Sequence, residues 1–144
     1  IGPAARLGYV AKVDTATMRI VDTCTVGYQP EGMVVAGDKL YVANSGGYRA
    51  PAYDRTVSVI DLATFTEIKK IDVAVNLHRM EADRFGNIYV SSRGDYYDTP
   101  SKTYVIDSRT DRVTEILHLL PNSNMTLSGD SLYVYSSQWS WHTE

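Results

Sequence analysis

The sequence has one cysteine, Cys24, which excludes an intrachain disulfide and a cysteine-built metal site. It has no apolar run near the roughly 20 residues that a membrane-spanning helix needs. It has no signal-peptide pattern at its start. Basic residues are not in excess: 14 Lys and Arg stand against 17 Asp and Glu, net −3, which argues against a nucleic-acid surface. Histidine is scarce, and His78, His118 and His142 fall at unrelated places in the chain, so no metal site and no cofactor are expected. His-Glu-x-x-His, a phosphate-binding Gly-Lys loop, a dinucleotide glycine fingerprint and a nucleophile elbow are all missing. Phenylalanine is nearly absent, at two residues, whereas tyrosine reaches eleven. Tyr joins an apolar body to a polar tip, which suits both strands and half-wet binding surfaces.

What the chain does contain is repetition. Val13-Asp14-Thr15-Ala16-Thr17 returns as Ile60-Asp61-Leu62-Ala63-Thr64 and as Ile106-Asp107-Ser108-Arg109-Thr110. Leu40-Tyr41-Val42, Ile88-Tyr89-Val90 and Leu132-Tyr133-Val134 keep nearly the same period. Two independent motifs in one period of about 45 residues indicate a propeller or a solenoid. The hydrophobic fraction of 44% and charged fraction of 22% are those of a globular chain.

One period resolves into four strands. Gly32 to Ala36 is short and apolar, Gly37-Asp38 is a hairpin turn, and Lys39 to Ala43 returns. After a polar insert, Thr56 to Asp61 alternates with period two, as a half-buried strand does. Asp61 to Thr64 makes a tight turn in which the Asp carboxylate accepts backbone N–H groups, and Glu67 to Val73 closes the unit. The expected fold is therefore all-β: a β-propeller of four-stranded antiparallel blades. About three blades' worth is present: a half blade over 1–26, blades over 27–73 and 74–119, and a half blade over 120–144. A parallel β-helix is the alternative, but its coils are much shorter and lack tight hairpins. Ile1 in place of Met reads as a processed chain or a piece of a longer one.

The block Gln29 to Thr64, with Pro30-x-Gly32, Leu40-Tyr41-Val42-Ala43-Asn44 and Val57-Ser58-Val59-Ile60-Asp61-x-x-Thr64, resembles the YVTN (surface-layer type) β-propeller repeat. Its long inserts and Tyr/Trp content look like the surface-exposed propeller lipoproteins of gut Bacteroidetes, some of which capture cobalamin. The resemblance implies an extracellular or outer-membrane-surface location, with a lipid anchor in the full-length protein. It is specific for fold and weak for chemistry, because fold does not fix function.

In such a blade the loops alternate between two ends. The short turns share one end, and the long inserts 45–54, 92–100 and 137–142 share the other with the blade-to-blade connections. Loops on a rigid scaffold carry function. The inserts supply Tyr48, Arg49, Arg93, Tyr96, Tyr97, Trp139 and Trp141 as candidate ligand-binding residues; the connections supply Tyr28, Glu31, His78, Arg79 and Asn122. By repeat, Gln29-Pro30-Glu31 is set against Leu77-His78-Arg79. Arg79 would either clamp a ligand carboxylate or phosphate bidentately or pair with Glu31 or Glu81. Asp95 and Asp98 could pair as acids but are expected to be solvated. No catalytic residue is assigned.

These readings lead to a ligand-binding propeller that takes a small molecule, such as a corrinoid (cobalamin), or a glycan on the long-loop end. The alternatives are a protein-interaction scaffold that partners an outer-membrane transporter, and a propeller enzyme of lactonase or quinoprotein-like type. The last would need an acid or metal cluster at the axis.

Overall fold

The computed structural model describes residues 6–120 and 124–136. Trp139, Trp141 and Asn122, with the whole 137–142 insert, lie outside the described residues. The described chain is all-β and antiparallel. Strands β1 (Leu7–Asp14) and β2 (Arg19–Tyr28) form a pair. Strands β3 (Pro30–Ala36), β4 (Lys39–Asn44), β5 (Thr56–Asp61) and β6 (Thr66–Asp72) form a four-stranded meander. So do β7 (Leu77–Ala82), β8 (Asn87–Ser92), β9 (Lys102–Asp107) and β10 (Arg112–Leu117). Strands β11 (Asn124–Ser128) and β12 (Ser131–Tyr135) form a second pair. β2 runs on to Tyr28, past the boundary expected at 26, and His118 falls just after β10.

The two meanders keep one register. Leu40 faces Ile60 and Tyr41 faces Val59 in the first; Ile88 faces Ile106 and Tyr89 faces Val105 in the second. Alternation then sends successive side chains into different interfaces. Leu40, Val42 and Ile60 pack with Val10, Cys24 and Val26 of the preceding pair and with Phe65 of the β5–β6 turn. Tyr41, Ala43, Val57 and Val59 pack with Leu77, Met80, Ile88, Val90 and Ile106 of the next sheet. The core is thus a set of sheet-to-sheet layers, each about one side chain thick per face. The Tyr41 phenol is fully buried, donates to an Asp111 carboxylate oxygen (2.6 Å), and has Ser108 O within reach at 3.1 Å. Lys39 pairs with the same carboxylate at 2.9 Å. Burial, then the contact with Asp111, pushes the Tyr41 pKa well above the ordinary phenol range. This contact ties one sheet to the turn of the next.

The repeated Asp makes the turn that its spacing predicts. Asp14 Oδ1 accepts from the N–H groups of Ala16 and Thr17, and Asp61 Oδ1 from those of Ala63 and Thr64 plus the Thr64 hydroxyl. At Asp107 the carboxylate instead holds Arg109, through its N–H and its guanidinium, and Thr110 reaches only the backbone carbonyl. All three turns share a fifth residue that the motif does not reveal. Met18, Phe65 and Asp111 have φ of 56°, 52° and 54°, and each N–H bonds back to the carbonyl of its Asp. Three different side chains accept the left-handed region because the i to i+4 bond closes there. Asp61→Ala is expected to lower the melting temperature by a few degrees, read by circular dichroism, through lost acceptors for two turn N–H groups. Ligand affinity should not change; a loss of affinity at constant melting temperature would place the turn in a binding site.

Candidate functional site

The two ends of the sheets differ as the loop lengths predict. At one end the hairpins are tied together, Leu62 N–H to Asp38 O and Ser108 N–H to Gly86 O. At the other end the inserts bond to the sheet connections: Ser45 N–H to Gln29 O, Arg93 N–H to Asn76 O and Asn76 N–H to Asp54 O. Gln29 and Asn76 both have positive φ, 47° and 55°, and occupy the same place in the two repeats. Pro30 therefore corresponds to Leu77 and Glu31 to His78. The alignment of Gln29-Pro30-Glu31 with Leu77-His78-Arg79 is one residue out of step.

The first insert is held rather than loose. Gly47–Arg49 forms one 3-10 turn. Tyr48 N–H donates to Gln29 Oε1 at 2.7 Å, Arg49 N–H to Gly46 O at 2.9 Å, and Gly47 N–H to Ser45 Oγ at 3.2 Å. Asp54 ends the insert. One of its oxygens accepts Tyr28 N–H; the other accepts the N–H groups of Arg55 and Thr56 and the Thr56 hydroxyl. Gly46 (φ 58°) and Gly94 (φ 69°) open the two inserts in the left-handed region, and a Cβ would overlap Asp54 N or Thr99 O respectively. The second insert is organised by Asp95, whose carboxylate accepts from Tyr97 N–H, Thr99 N–H and the Thr99 hydroxyl. Those bonds, Thr99 and Tyr97 N–H first, hold Asp95 below the ordinary carboxylate range. Asp95 is a loop-organising residue here, with both oxygens occupied.

Two clefts open on this end. One, of about 180 Å³, is lined by Arg6, Tyr28, Gln29, Pro30, Tyr48 and Arg49 among others. In it the Arg49 guanidinium lies 3.9 Å from the Tyr28 ring centroid, a stacked cation–π contact. The second, of about 460 Å³, is formed by both inserts: Ala50, Pro51 and Tyr53 from the first, Asp95, Tyr97 and Asp98 from the second. Tyr48, Tyr96 and Tyr97 are 90%, 63% and 92% exposed.

The remaining candidates gather nearer the inner strands, with a different pairing from the one expected. Glu31 is held by Arg93, not by Arg79: Arg93 Nη1 lies 2.8 Å from Glu31 Oε2. Ser45 Oγ and Gln29 Nε2 donate to Glu31 Oε1 at 2.9 and 3.0 Å. His78 Nδ1 is 2.7 Å from Arg93 Nη2 and 3.1 Å from Glu31 Oε2. Arg93 Nη2 also lies 3.3 Å from His78 Nε2; a guanidinium only donates, so one ring nitrogen accepts from it and the ring is neutral. Burial, then the Arg93 charge, lowers the His78 pKa in agreement. For Glu31 burial acts upward, but the Ser45 and Arg93 contacts outweigh it and hold the carboxyl below its ordinary value. Arg79 reaches across to Asn124 Oδ1 at 3.2 Å, between the inner strands of successive sheets. Glu31, His78 and Arg93 thus form a self-satisfied staple, and Gln29 links it to the Tyr48–Arg49 turn. Among the described residues no group of three His, Cys, Asp or Glu is placed to hold a metal.

No family model and no curated protein matches the chain. Solved structures do. A hydrazine synthase chain from Kuenenia stuttgartiensis is 26% identical, with a TM-score of 0.63, over 75% of this chain and 29% of that one. A chain in a complex of KlAtg21 with the coiled coil of AgAtg16 is 15% identical, with a TM-score of 0.55, over 85% of this chain and 37% of that one. The fold is β-propeller-like. This chain spans under a third of the first neighbour and little more than a third of the second.

Proposed function

We propose that the chain is a ligand-binding propeller module whose binding face is the long-loop end. One observation carries the reading: Tyr48 and Tyr97 are almost wholly exposed, yet both stand on inserts fixed by backbone and side-chain hydrogen bonds. An exposed aromatic ring costs solubility, and a rigid platform under it lowers the entropy lost on binding. The 460 Å³ cleft between the two inserts lies within the range of small-molecule sites. Stacking rings with the Asp98 carboxylate beside them suit a glycan or a ring-bearing small molecule such as a corrinoid. The resemblance of Gln29 to Thr64 to the YVTN repeat supports placing this face at a cell surface.

Titration calorimetry with cyanocobalamin and with neutral and acidic oligosaccharides tests the reading. Tyr96→Ala and Tyr97→Ala are each expected to weaken binding by about 1–3 kcal/mol, with melting temperature held within a few degrees. If nothing binds, or if both variants bind normally and unfold early, the rings are loop caps and the reading is wrong.

A further inference from the structure

The smaller cleft has a chemistry of its own. Its lining brings Arg6 and Arg49 together with the aromatic rings of Tyr28 and Tyr48, and no acidic residue lines it. The Arg49 guanidinium carbon sits over the Tyr28 ring, 3.9 Å from its centroid, so the ring and not a carboxylate is its close neighbour. Neither Arg6 nor Arg49 has an ion-pair partner among the described residues, a state shared with Arg19, Arg79 and Arg112, whereas Arg55, Arg84, Arg93 and Arg109 are each paired with a carboxylate. Nearby acids are engaged elsewhere: Asp54 by Tyr28 N–H and Thr56, Glu31 by Arg93, Ser45 and Gln29. The turn that carries Tyr48 and Arg49 is fixed by Gln29 Oε1 and Gly46 O, so the fork is pre-oriented.

Resting on the reading of this end as a binding face, we infer that the Arg6–Tyr28–Tyr48–Arg49 cleft takes a carboxylate-bearing sugar ring, a uronic acid residue. A guanidinium with no carboxylate partner of its own matches a planar carboxylate bidentately. The exposed Tyr48 ring offers a face on which a sugar ring stacks. At about 180 Å³ the cleft is less than half the size of the 460 Å³ one and suits a single small ring. The cleft is locally positive although the chain as a whole carries a net charge of −3.

The test uses methyl β-D-glucuronide, methyl β-D-glucoside and inorganic phosphate as probes, followed by amide chemical-shift changes in the chain. The expected result is glucuronide binding at least about tenfold tighter than glucoside, with shifts centred on 28–30 and 46–49. That preference should weaken with added salt. Arg49→Gln should cut glucuronide affinity about ten- to hundredfold, as loss of a charge-assisted bond does, and Arg49→Lys should restore only part of it. The unchanged melting temperature of both variants excludes misfolding. Equal affinity for glucuronide and glucoside, or an Arg49→Gln variant that binds normally, overturns the inference and leaves the loop-face reading intact. Phosphate binding as tight as glucuronide overturns the sugar-acid class. A larger oligosaccharide bound only through Tyr97 also overturns it, whereas no binding by any probe, oligosaccharide or cyanocobalamin fells both.

Discussion

Glu31→Ala is expected to destabilise the fold by about 2–3 kcal/mol, the largest single-residue effect among the polar residues named here. The carboxylate has four close neighbours: Arg93, His78, Ser45 and Gln29. Its removal leaves a guanidinium against an imidazole with no counter-charge, and two neutral donors lose their acceptor. Breaking a fully buried pair costs about 3–5 kcal/mol. The side chains here are 13–25% exposed, so solvent returns part of that. Arg93→Ala in addition to Glu31→Ala should cost less than the sum of the two, since each removes the same contact. The acid side of the stability profile carries the same signature. His78 titrates below its ordinary value of about 6.5, so the unfolded chain takes the proton first. Its contribution is whole above that pH and erodes as pH falls below it. Glu31 also titrates below its ordinary value, and its contribution is lost as pH falls further, through its folded pKa. In Glu31→Ala the lower step should vanish. The His78 step should deepen, because Arg93 then acts on the ring without a carboxylate to offset it. Denaturant titrations from pH 7.5 to 3.5 read both steps. A profile unchanged by Glu31→Ala would mean that the staple contributes no net stability.

Much of the architecture was legible because the period is written twice, once in strands and once in turns. Thr56-Val57-Ser58-Val59-Ile60 alternates and is a strand, but not the half-buried one that alternation implies: it is buried on both faces because sheets lie on either side, and Ser58 is enclosed with its neighbours. The Asp turns were legible because a carboxylate followed by exposed N–H groups has one economical local geometry. Their fifth residue was not: Met18, Phe65 and Asp111 share a backbone state and no side-chain chemistry. The one-residue slip at Glu31 and His78 has the same origin, since only the positive φ of Gln29 and Asn76 marks the correspondence. In the candidate site, residue types were readable and partners were not. Arg93 and Arg79 look alike in sequence. The path of the second insert brings Arg93 back to Glu31, while β7 aims Arg79 at Asn124. The stacking of Arg49 on Tyr28 joins an insert tip to a strand end and depends on the 3-10 turn, which no spacing rule announces.

The 144-residue polypeptide produced by itself is expected to associate head to tail. Met33, Met80 and Met125 occupy one position in three successive inner strands, opposite Val42, Val90 and Val134. Met80 and Met125 are 7% and 8% exposed, but Met33 is 58% exposed and its neighbour Val35 56%. The difference is cover: sheets precede Met80 and Met125, whereas Met33 faces only the β1–β2 pair. Two adjoining apolar hollows, of about 240 and 480 Å³, lie there, lined by Tyr9, Val10, Met33, Val35, Leu40 and Phe65 among others. Among the described residues β1 and β12 each have one unpaired edge. β11–β12 matches the first two strands of a meander, β1–β2 the last two. Joining them across copies would pair Leu132 with Val13 and Tyr133 with Lys12, as Leu40 pairs with Ile60 and Tyr41 with Val59. Thr15 N–H would then meet Asp130 O, as Leu62 meets Asp38 and Ser108 meets Gly86. Unpaired edges and contiguous apolar surface both favour this association. Two copies closing on each other carry six sheets of four strands, within the range of about four to eight blades that closes a propeller. Sedimentation at micromolar concentration should therefore give twice the chain mass. In a Cys24→Ser background, mixing a Lys12→Cys copy with a Tyr133→Cys copy should yield a disulfide-linked pair on oxidation, because opposite Cβ atoms in a sheet lie about 4.5–5.5 Å apart. A monomer with a single cooperative melt would overturn this, as would a dimer in which that cross-link never forms.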